Sequence, residues 1–287
     1  MAKIGIIMRT KNRPILLKRA LDSVVQQTMG DWQLALVNDG GEVAPVDALV
    51  GALPEDQQAK IIRINHPDSV GMEAASNAGL AKLDSKYAII HDDDDSLHPE
   101  FFQKTSDYLD NPPHWSIKGV VTKTNRVHEK IEGNKVTEIK TKPYNEWLQN
   151  ISLRRLLVEN SFAPIAFLFD REACIEVGAF REDLPVLGDW DFNIRFLCQY
   201  EIGLLPETLA YYHDRIHEAS GDYASTIQAK MHLHAFFDNL LRNEWLRKDI
   251  QSGRTGTGLI ANKARMLSDL SWEINNGLKK RKRFFLF

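Results

Sequence analysis

The sequence has few of the features that mark several common protein classes. Its 287 residues include two cysteines, Cys174 and Cys198, which do not form a CxxC motif. We interpret both as buried thiols in a reducing compartment. There is no run of about 18 apolar residues, so we expect no helix to span a membrane. The apolar run from Ile4 to Met8 is too short for a signal peptide and leads into charge, and we therefore predict a cytoplasmic protein.

A strong positive charge is also missing. The net charge is −3, so no overall basic field favours nucleic acid as a partner. Glycine is absent from Arg9–Pro14, after the first apolar run, where a sugar-nucleotidyltransferase would need a glycine-rich phosphate loop. Hydrophobic residues make up 43% and charged residues 26% of the chain, which are ordinary values for a globular protein.

The first third of the chain alternates apolar runs with amphipathic stretches. Each run is apolar on both faces, as strands inside a parallel sheet are. We predict strands at Ile4–Met8, Leu34–Asn38, Lys60–Ile64 and Tyr87–His91, and helices at Ile15–Gln27, Pro45–Leu53 and Met72–Leu83. This order predicts an α/β fold, a three-layer sandwich with a mainly parallel central sheet.

Later segments predict more strands and then a helical extension. The expected strands are Trp115–Thr124, Val127–Ile131, Val136–Lys140 and Phe167–Asp170, followed by helices at Asp189–Tyr200, Tyr223–Ile250 and about Leu259–Asn275. We divide the chain into a domain of residues 1–221, which carries every acidic motif discussed below, and a C-terminal helical extension of residues 222–287.

Four consecutive carboxylates, Asp92–Asp95, follow the fourth predicted strand. Like charges at the end of a buried strand repel one another, and a divalent cation would relieve that repulsion. Oxygen ligands suit Mg²⁺ or Mn²⁺, which commonly bind one or two carboxylates together with substrate phosphates. A solvated acidic loop is the alternative interpretation. Because ligands of open α/β sheets bind at the carboxyl ends of strands, we favour a metal site.

Two further carboxylates lie at the borders of predicted elements. Asp39 ends the second predicted strand, although the Asp-Gly pair that it forms is also an ordinary turn sequence. Asp189 comes just before an amphipathic stretch. It could cap that helix, or it could be a general base for an acceptor hydroxyl.

Taken in order, these motifs resemble glycosyltransferase family 2, whose members have the GT-A fold. The resemblance spans residues 3 to about 217 and rests on Arg9–Pro14, Ala20–Val24, Val37–Gly40, Asp92–Asp95 with Pro99, and Gly188–Asp191. It implies an inverting enzyme that moves a sugar from a nucleoside-diphosphate sugar, UDP-linked by default, to a hydroxyl of a glycan or lipid-linked acceptor. The implied setting is polysaccharide or glycolipid synthesis of the bacterial type.

The resemblance also implies roles for individual residues. Asp39 would contact the base or ribose of the donor, Asp92 the ribose or the metal, and Asp94 the metal on the diphosphate. Asp189 would be the catalytic base, and Asp191 is the alternative if the motif is misaligned. The other residues expected at the donor are Thr10, Asn12, Arg13, Asn77 and Asp93, and the candidate histidine ligands of the metal or diphosphate are His213 and His217.

Three positions depart from the family pattern. Ser76 stands where the family often has the arginine of Ala-Arg-Asn-x-Gly, Asn38 stands where it often has aspartate, and Gly188 stands where it often has glutamate. Two other classes remain as alternatives, a sugar-nucleotidyltransferase and a non-catalytic carbohydrate-binding or scaffold protein. The missing phosphate loop argues against the first, and the intact acidic motifs argue against the second.

Residues 279–287 consist of five cations followed by three phenylalanines and a leucine. Basic residues attract anionic headgroups, and aromatic side chains favour the membrane interface. The tail therefore predicts a peripheral contact with the inner face of a membrane. A contact with a partner subunit, as in a homo-oligomer, and a frayed tail are the alternatives.

Overall fold

A computed structural model of the protein describes residues 1–133, 135–215 and 231–284, without the side chains of 231–232 and 277–284. The strands are β1 (Ala2–Thr10), β2 (Trp32–Asp39), β3 (Ile61–His66), β4 (Ser85–Asp92), β5 (Ser96–Leu97), β6 (Ile117–Glu132), β7 (Lys135–Pro143), β8 (Phe167–Asp170) and β9 (Glu201–Asp214). The helices are α1 (Pro14–Val25), α2 (Val43–Gly51), α3 (Glu55–Gln58), α4 (Met72–Lys82), α5 (Phe101–Asp110), α6 (Leu153–Leu156), α7 (Arg171–Glu176), α8 (Gly188–Leu197), α9 (Met231–Ser252) and α10 (Thr257–Phe284), with a 3-10 turn at Pro164–Ala166.

The described strands form one sheet with a parallel N-terminal half. Their order is β3-β2-β1-β4-β8-β6-β9-β5, and β7 pairs with β6. β3, β2, β1 and β4 are parallel neighbours. β8 runs antiparallel to both β4 and β6, whereas β6 and β9 pair in parallel. The predicted α/β sandwich is confirmed, including its first four strands and first three helices.

Helices cover the sheet closely enough to bury the first strands on both faces. α1 begins at Pro14, whose missing N–H costs nothing in the first turn of a helix. Where α4 crosses β1, a Cβ on Gly79 would lie 2.8 Å from the Cγ2 atom of Ile7. Glycine at this position therefore lets α4 approach the sheet, and this approach brings the first turn of α4 close to the end of β1.

The middle of the chain differs from the sequence-based expectation. The two predicted strands Trp115–Thr124 and Val127–Ile131 are one strand, β6, because Asn125 and Arg126 pair with both β7 and β9. Trp115 lies outside the strand and is 79% exposed. β6 and β7 pair as antiparallel neighbours, with Glu132 opposite Lys135.

The two C-terminal helices pack on the domain through α9. The rings of Trp190 and Trp245 lie 5.6 Å apart, and Arg242 Nη1 donates to the carbonyl of Leu157 at 3.0 Å. Of the predicted helix Tyr223–Ile250, residues 223–230 lie outside the described ranges. α10 continues nine residues beyond the predicted end at Asn275, to Phe284, because the added residues are mostly Leu, Lys and Arg, which are good helix formers.

Two further expectations concern exposure and membrane spans. Cys174 is buried as predicted, but Cys198 is exposed, because it follows the last turn of α8 at the protein surface. Within the described ranges, no helix is both long and apolar enough to cross a bilayer.

Candidate active site

Three neighbouring parallel strands end in polar residues at one edge of the sheet. β1 ends at Thr10, β2 at Asp39 and β4 at Asp92. In open α/β sheets, this edge forms the crevice in which ligands bind. The fold therefore brings two of the predicted acidic motifs to the same edge.

The four carboxylates Asp92–Asp95 alternate between partly exposed and buried positions. Asp93 and Asp95 are 0% and 3% exposed. The side chains of Asp92 and Asp94 are 27% and 19% exposed. Solvent therefore reaches the first and third members of the run, which are the two that the family resemblance implies as metal contacts.

Arginine side chains neutralise the two exposed carboxylates. Nε and Nη2 of Arg9 donate to Oδ1 of Asp92 at 2.8 and 2.5 Å. Arg13 Nη1 and Arg215 Nη2 donate to Oδ2 of Asp94 at 3.2 and 2.5 Å. Burial would raise the pKa of Asp94, but the arginines outweigh it and lower the pKa to about 2. These contacts use one oxygen of each carboxylate and leave Asp92 Oδ2 and Asp94 Oδ1 outside them.

The two buried carboxylates support their surroundings. Asp93 accepts a hydrogen bond from Thr10 Oγ1 at 2.6 Å and pairs with Arg13 at 2.5 Å. Asp95 accepts a hydrogen bond from the backbone N–H of His213 at 2.9 Å, which ties the end of β9 to the acidic run. Burial raises the pKa of Asp93 to about 7, against the effect of Arg13, and it also raises that of Asp95.

Asp92 and Asp94 are the residues that best fit a divalent cation. In the described part of the chain, no group of three or more His, Cys, Asp or Glu side chains could hold a metal alone. Two carboxylates still suit Mg²⁺ or Mn²⁺ when a diphosphate supplies further oxygens. His213 has both ring nitrogens engaged, at 2.8 Å from Ser96 Oγ and 3.0 Å from Glu129 Oε2. The other candidate, His217, lies outside the described residues.

Asp39 organises the segment between β3 and α4. Its Oδ2 accepts hydrogen bonds from Ser69 Oγ at 2.6 Å and from Gly71 N at 3.1 Å, while its Oδ1 accepts one from Val70 N at 2.9 Å. His66 Nδ1 lies 2.9 Å from the same Oδ1. Although burial opposes ionisation, these hydrogen bonds lower the pKa of Asp39.

The two predicted donor-site asparagines also fasten loops. Asn12, at a positive φ of 54°, accepts a hydrogen bond from Glu42 N at 2.8 Å. Asn77 donates to the carbonyl of Phe180 and to Glu182 Oε1, both at 2.8 Å. Each residue therefore shapes the rim of the crevice through its side-chain amide.

Asp189 and Asp191 lie in the first turn of α8 but have different surroundings. Neither caps the helix, because Gly188 is its first residue and Leu187 is the N-cap. Asp191 is 1% exposed and pairs with Arg195 Nε at 2.7 Å. Asp189 is half-buried and accepts a hydrogen bond from Asn160 Nδ2 at 2.7 Å, and burial raises its pKa.

A small cavity borders Asp189. It has a volume of about 20 Å³, which is room for one water molecule. Its polar lining comes from Arg9, Glu73, Asp189 and Asn193, and its apolar lining from Ile90, Pro164, Phe167, Phe169, Phe180 and Phe192. Glu73 is 5% exposed. Burial raises the pKa of Glu73 to about 7, with Arg9 acting in the opposite direction and Asp189 adding to the rise.

Comparison with known proteins decides the family. The model of glycosyl transferase family 2 matches residues 5–178, more than half of the chain. The chain belongs to this family. Among its relatives, the uncharacterized glycosyltransferase YwdF of Bacillus subtilis is 27% identical over 206 residues, which cover 71% of each protein. The protein is therefore a glycosyltransferase.

Solved structures of glycosyltransferases share the fold. Residues 1–349 of TarS from S. aureus, in complex with UDP-GlcNAc, give a TM-score of 0.60 at 15% identity over 75% of this chain and 60% of that one. The mannosyltransferase PcManGT from Pyrobaculum calidifontis, in complex with GDP-Man and Mn²⁺, gives 0.58 at 13% identity over 100% and 81%. The chain thus spans less than two thirds of the TarS chain, and both likenesses show the GT-A fold.

Two departures from the family pattern are filled by side chains from other elements. Arg9 Nη1 donates to Ser76 Oγ at 3.1 Å, so a guanidinium from β1 lies beside the position where the family often has arginine. A Cβ on Gly188 would lie 2.3 Å from Glu73 Oε1. A carboxyl group from α4 therefore occupies the space beside Gly188, where the family often has glutamate.

Sequence reasoning missed several charged residues that complete the site. Arg19 Nη1 and Arg215 Nη1 donate to opposite oxygens of Glu129, at 2.6 and 3.1 Å. Arg215 also contacts Asp94, so this ion-pair network joins α1, β6 and the end of β9 to the acidic run. No local pattern identifies these residues, because they come from three separate segments and the fold alone brings them together.

Proposed function

We propose that the protein is an inverting glycosyltransferase whose donor is a nucleoside-diphosphate sugar, specifically a UDP-sugar. The supporting observation is the arrangement of the acids. Asp92 and Asp94 are the accessible members of their run, and Asp189 borders a cavity that also reaches Arg9, the partner of Asp92. Arg9 thus links the expected leaving-group side of the site to the expected base.

In this proposal the donor occupies the edge where β1, β2 and β4 end. Asp39, Thr10, Asn12 and Asn77 shape the pocket for the nucleotide and sugar, several of them through the loops that they hold. Arg13, which pairs with Asp94, would lie next to the phosphates, and buried Asp93 fixes its position through a 2.5 Å contact. A Mg²⁺ or Mn²⁺ ion on Asp92 and Asp94 would supply a Lewis acid for the departing diphosphate.

Asp189 is proposed as the base that takes the proton of the acceptor hydroxyl. Its raised pKa suits that role because a better base holds its proton more strongly. Asn160 orients the carboxylate, and the apolar wall of the cavity limits water around it. Asp191 is proposed to be structural, since Arg195 already neutralises it.

The proposal extends to the acceptor and the cellular setting. We propose a glycan or lipid-linked acceptor in bacterial-type polysaccharide or glycolipid synthesis, at the inner face of the cytoplasmic membrane. Residues 279–287 would supply a peripheral contact there. These assignments are separate from the donor site, and a homo-oligomer is compatible with them.

Calorimetric titration with UDP tests the donor and metal parts of the proposal. Binding should require Mn²⁺ or Mg²⁺, should disappear with chelator, and should be lost in Asp94→Asn. Asp107→Asn, an acid on the exposed face of α5, is the matched control and should bind normally. Equal UDP affinity with and without chelator would refute the metal-dependent site.

Product analysis tests the reaction class. With labelled nucleotide sugars and Mn²⁺, a transferase releases nucleoside diphosphate, whereas a nucleotidyltransferase releases pyrophosphate. A scaffold protein releases neither. We expect nucleoside diphosphate, and the anomeric configuration of the product will decide whether transfer inverts.

A further inference from the structure

The middle of α10, residues 265–275, is exposed to solvent. The first turn of the helix is docked, because Ala261 is fully buried and a Cβ on Gly258 would clash with the backbone of α9 at Trp245. From residue 265 to residue 275, by contrast, every side chain is exposed. From residue 265 to its end at residue 284, the helix is about 30 Å long at 1.5 Å per residue.

This exposed segment is amphipathic. Met266, Leu267, Leu270 and Ile274 are between 50% and 67% exposed, and their spacing places them on one side of a helix. The ion pair between Arg265 and Asp269, at 3.1 Å, lies on the other side. We call Met266, Leu267, Leu270 and Ile274 the α10 stripe; Trp272, which is 68% exposed, lies on the side of the ion pair.

An exposed stripe on this helix implies a partner surface. Helices without tertiary contacts are marginal in water, and most helical stability in proteins comes from packing an amphipathic face. Contiguous exposed apolar residues commonly mark contact sites for proteins or membranes. The charge of the helix distinguishes between these partners.

The composition of α10 favours an anionic lipid surface. Between residues 257 and 284 the sequence has seven cations and two anions, and five of the cations are consecutive at 279–283. A parallel pair of two such helices would bring the cationic runs of both copies together. Anionic headgroups would instead neutralise them while the apolar side enters the interface.

We propose that α10 is an interfacial helix, in which the α10 stripe enters an anionic membrane surface and the following basic run binds its headgroups. The docked first turn fixes the helix to the catalytic domain through α9. Membrane contact therefore begins at Met266 and is not confined to the tail at 279–287. The inference does not depend on the identity of the sugar donor.

Vesicle co-sedimentation of the full-length protein tests this proposal without donor or acceptor. The protein should sediment with vesicles of phosphatidylglycerol and phosphatidylcholine, and much less with phosphatidylcholine alone. High salt should weaken the binding because it screens the headgroup attraction. Replacing all four residues of the α10 stripe with glutamine, a good helix former, should lower the partition coefficient about tenfold or more.

The matched control replaces two exposed isoleucines outside α10 with glutamine. Ile139 and Ile175 are 57% and 50% exposed, and their variant should bind vesicles like the wild type. Circular dichroism should show equal helix content in all variants.

The proposal is overturned if the wild type does not bind anionic vesicles or if the stripe variant binds equally well. It is also overturned if light scattering shows a dimer that only the stripe variant loses, because the stripe would then cover a second copy. UDP binding should be the same in every variant, so a failure here is separate from a failure of the proposed reaction.

Discussion

Replacing Glu73 with glutamine should change how the stability of the protein depends on pH. Burial raises the pKa of Glu73 from 4.5 to about 7. Between these two pH values the folded protein keeps a proton that the unfolded chain releases. Stability from the protonated carboxyl group is therefore fully present below pH 4.5 and is lost as the pH rises towards 7. At about 1.4 kcal/mol per pH unit, the total loss is about 3 kcal/mol.

Urea unfolding of wild type and Glu73→Gln at pH 5, 6, 7 and 8, without nucleotide or metal, measures this effect. The difference in unfolding free energy between the two proteins should shift by about 2 to 3 kcal/mol in favour of the variant over this range. Comparing the two proteins cancels the titration of Asp93 and Asp95, which they share. Glu146→Gln, which removes an exposed glutamate, is the matched control for the loss of one carboxylate.

The reasoning about Glu73 is refuted if the difference between wild type and Glu73→Gln is constant with pH. In that case the attraction of Arg9 balances the cost of burial, and the pKa of Glu73 is not raised. A change in the opposite direction would mean that the ionised carboxylate is the stabilising form.

Three further predictions concern the residues around this cavity. Asp189→Asn should keep donor affinity within about tenfold and lower kcat by roughly 10²–10⁴, as loss of a general base does; an active Asp189→Asn would assign the role elsewhere. Asp191→Asn should lower the unfolding free energy and change kcat little, because it removes the partner of Arg195; urea unfolding and single-turnover assays separate the two effects. Arg9→Ser should weaken UDP binding about tenfold or more, and adding Ser76→Arg should restore part of it; no restoration in titration calorimetry would mean that the guanidinium position matters more than its charge.

The fold and the acidic motifs were accessible from the sequence because their signals are local. Apolar runs with a strand-like pattern predicted β1 to β4, and the carboxylates Asp39 and Asp92–Asp95 follow two of those runs. The partners of these acids were not accessible, since Arg215 reaches Asp94 across more than a hundred residues of sequence. Repulsion within the acidic run suggested a cation, whereas the folded chain supplies arginines that share the task.

Contacts between distant segments also explain which details of the sequence-based prediction were wrong. Asn125 and Arg126 read as a break between two strands, but pairing on both sides makes them part of β6. The helix cap considered for Asp189 fails because α8 begins one residue earlier, at Gly188. Glu73 gave no signal at all, since a single glutamate in an amphipathic stretch is ordinary until the fold buries it.

The placement of Arg9 beside Ser76, and of Glu73 beside Gly188, has a consequence for evolution within the family. If a relative regained arginine at position 76 while keeping Arg9, two guanidinium groups would compete for Asp92 in a nearly buried space. A glutamate at position 188 would likewise collide with the carboxyl group of Glu73. Each pair can therefore change only in concert, so we expect strong epistasis between positions 9 and 76 and between 73 and 188. Lineages should carry one arrangement or the other, and chimaeras that mix them should be inactive.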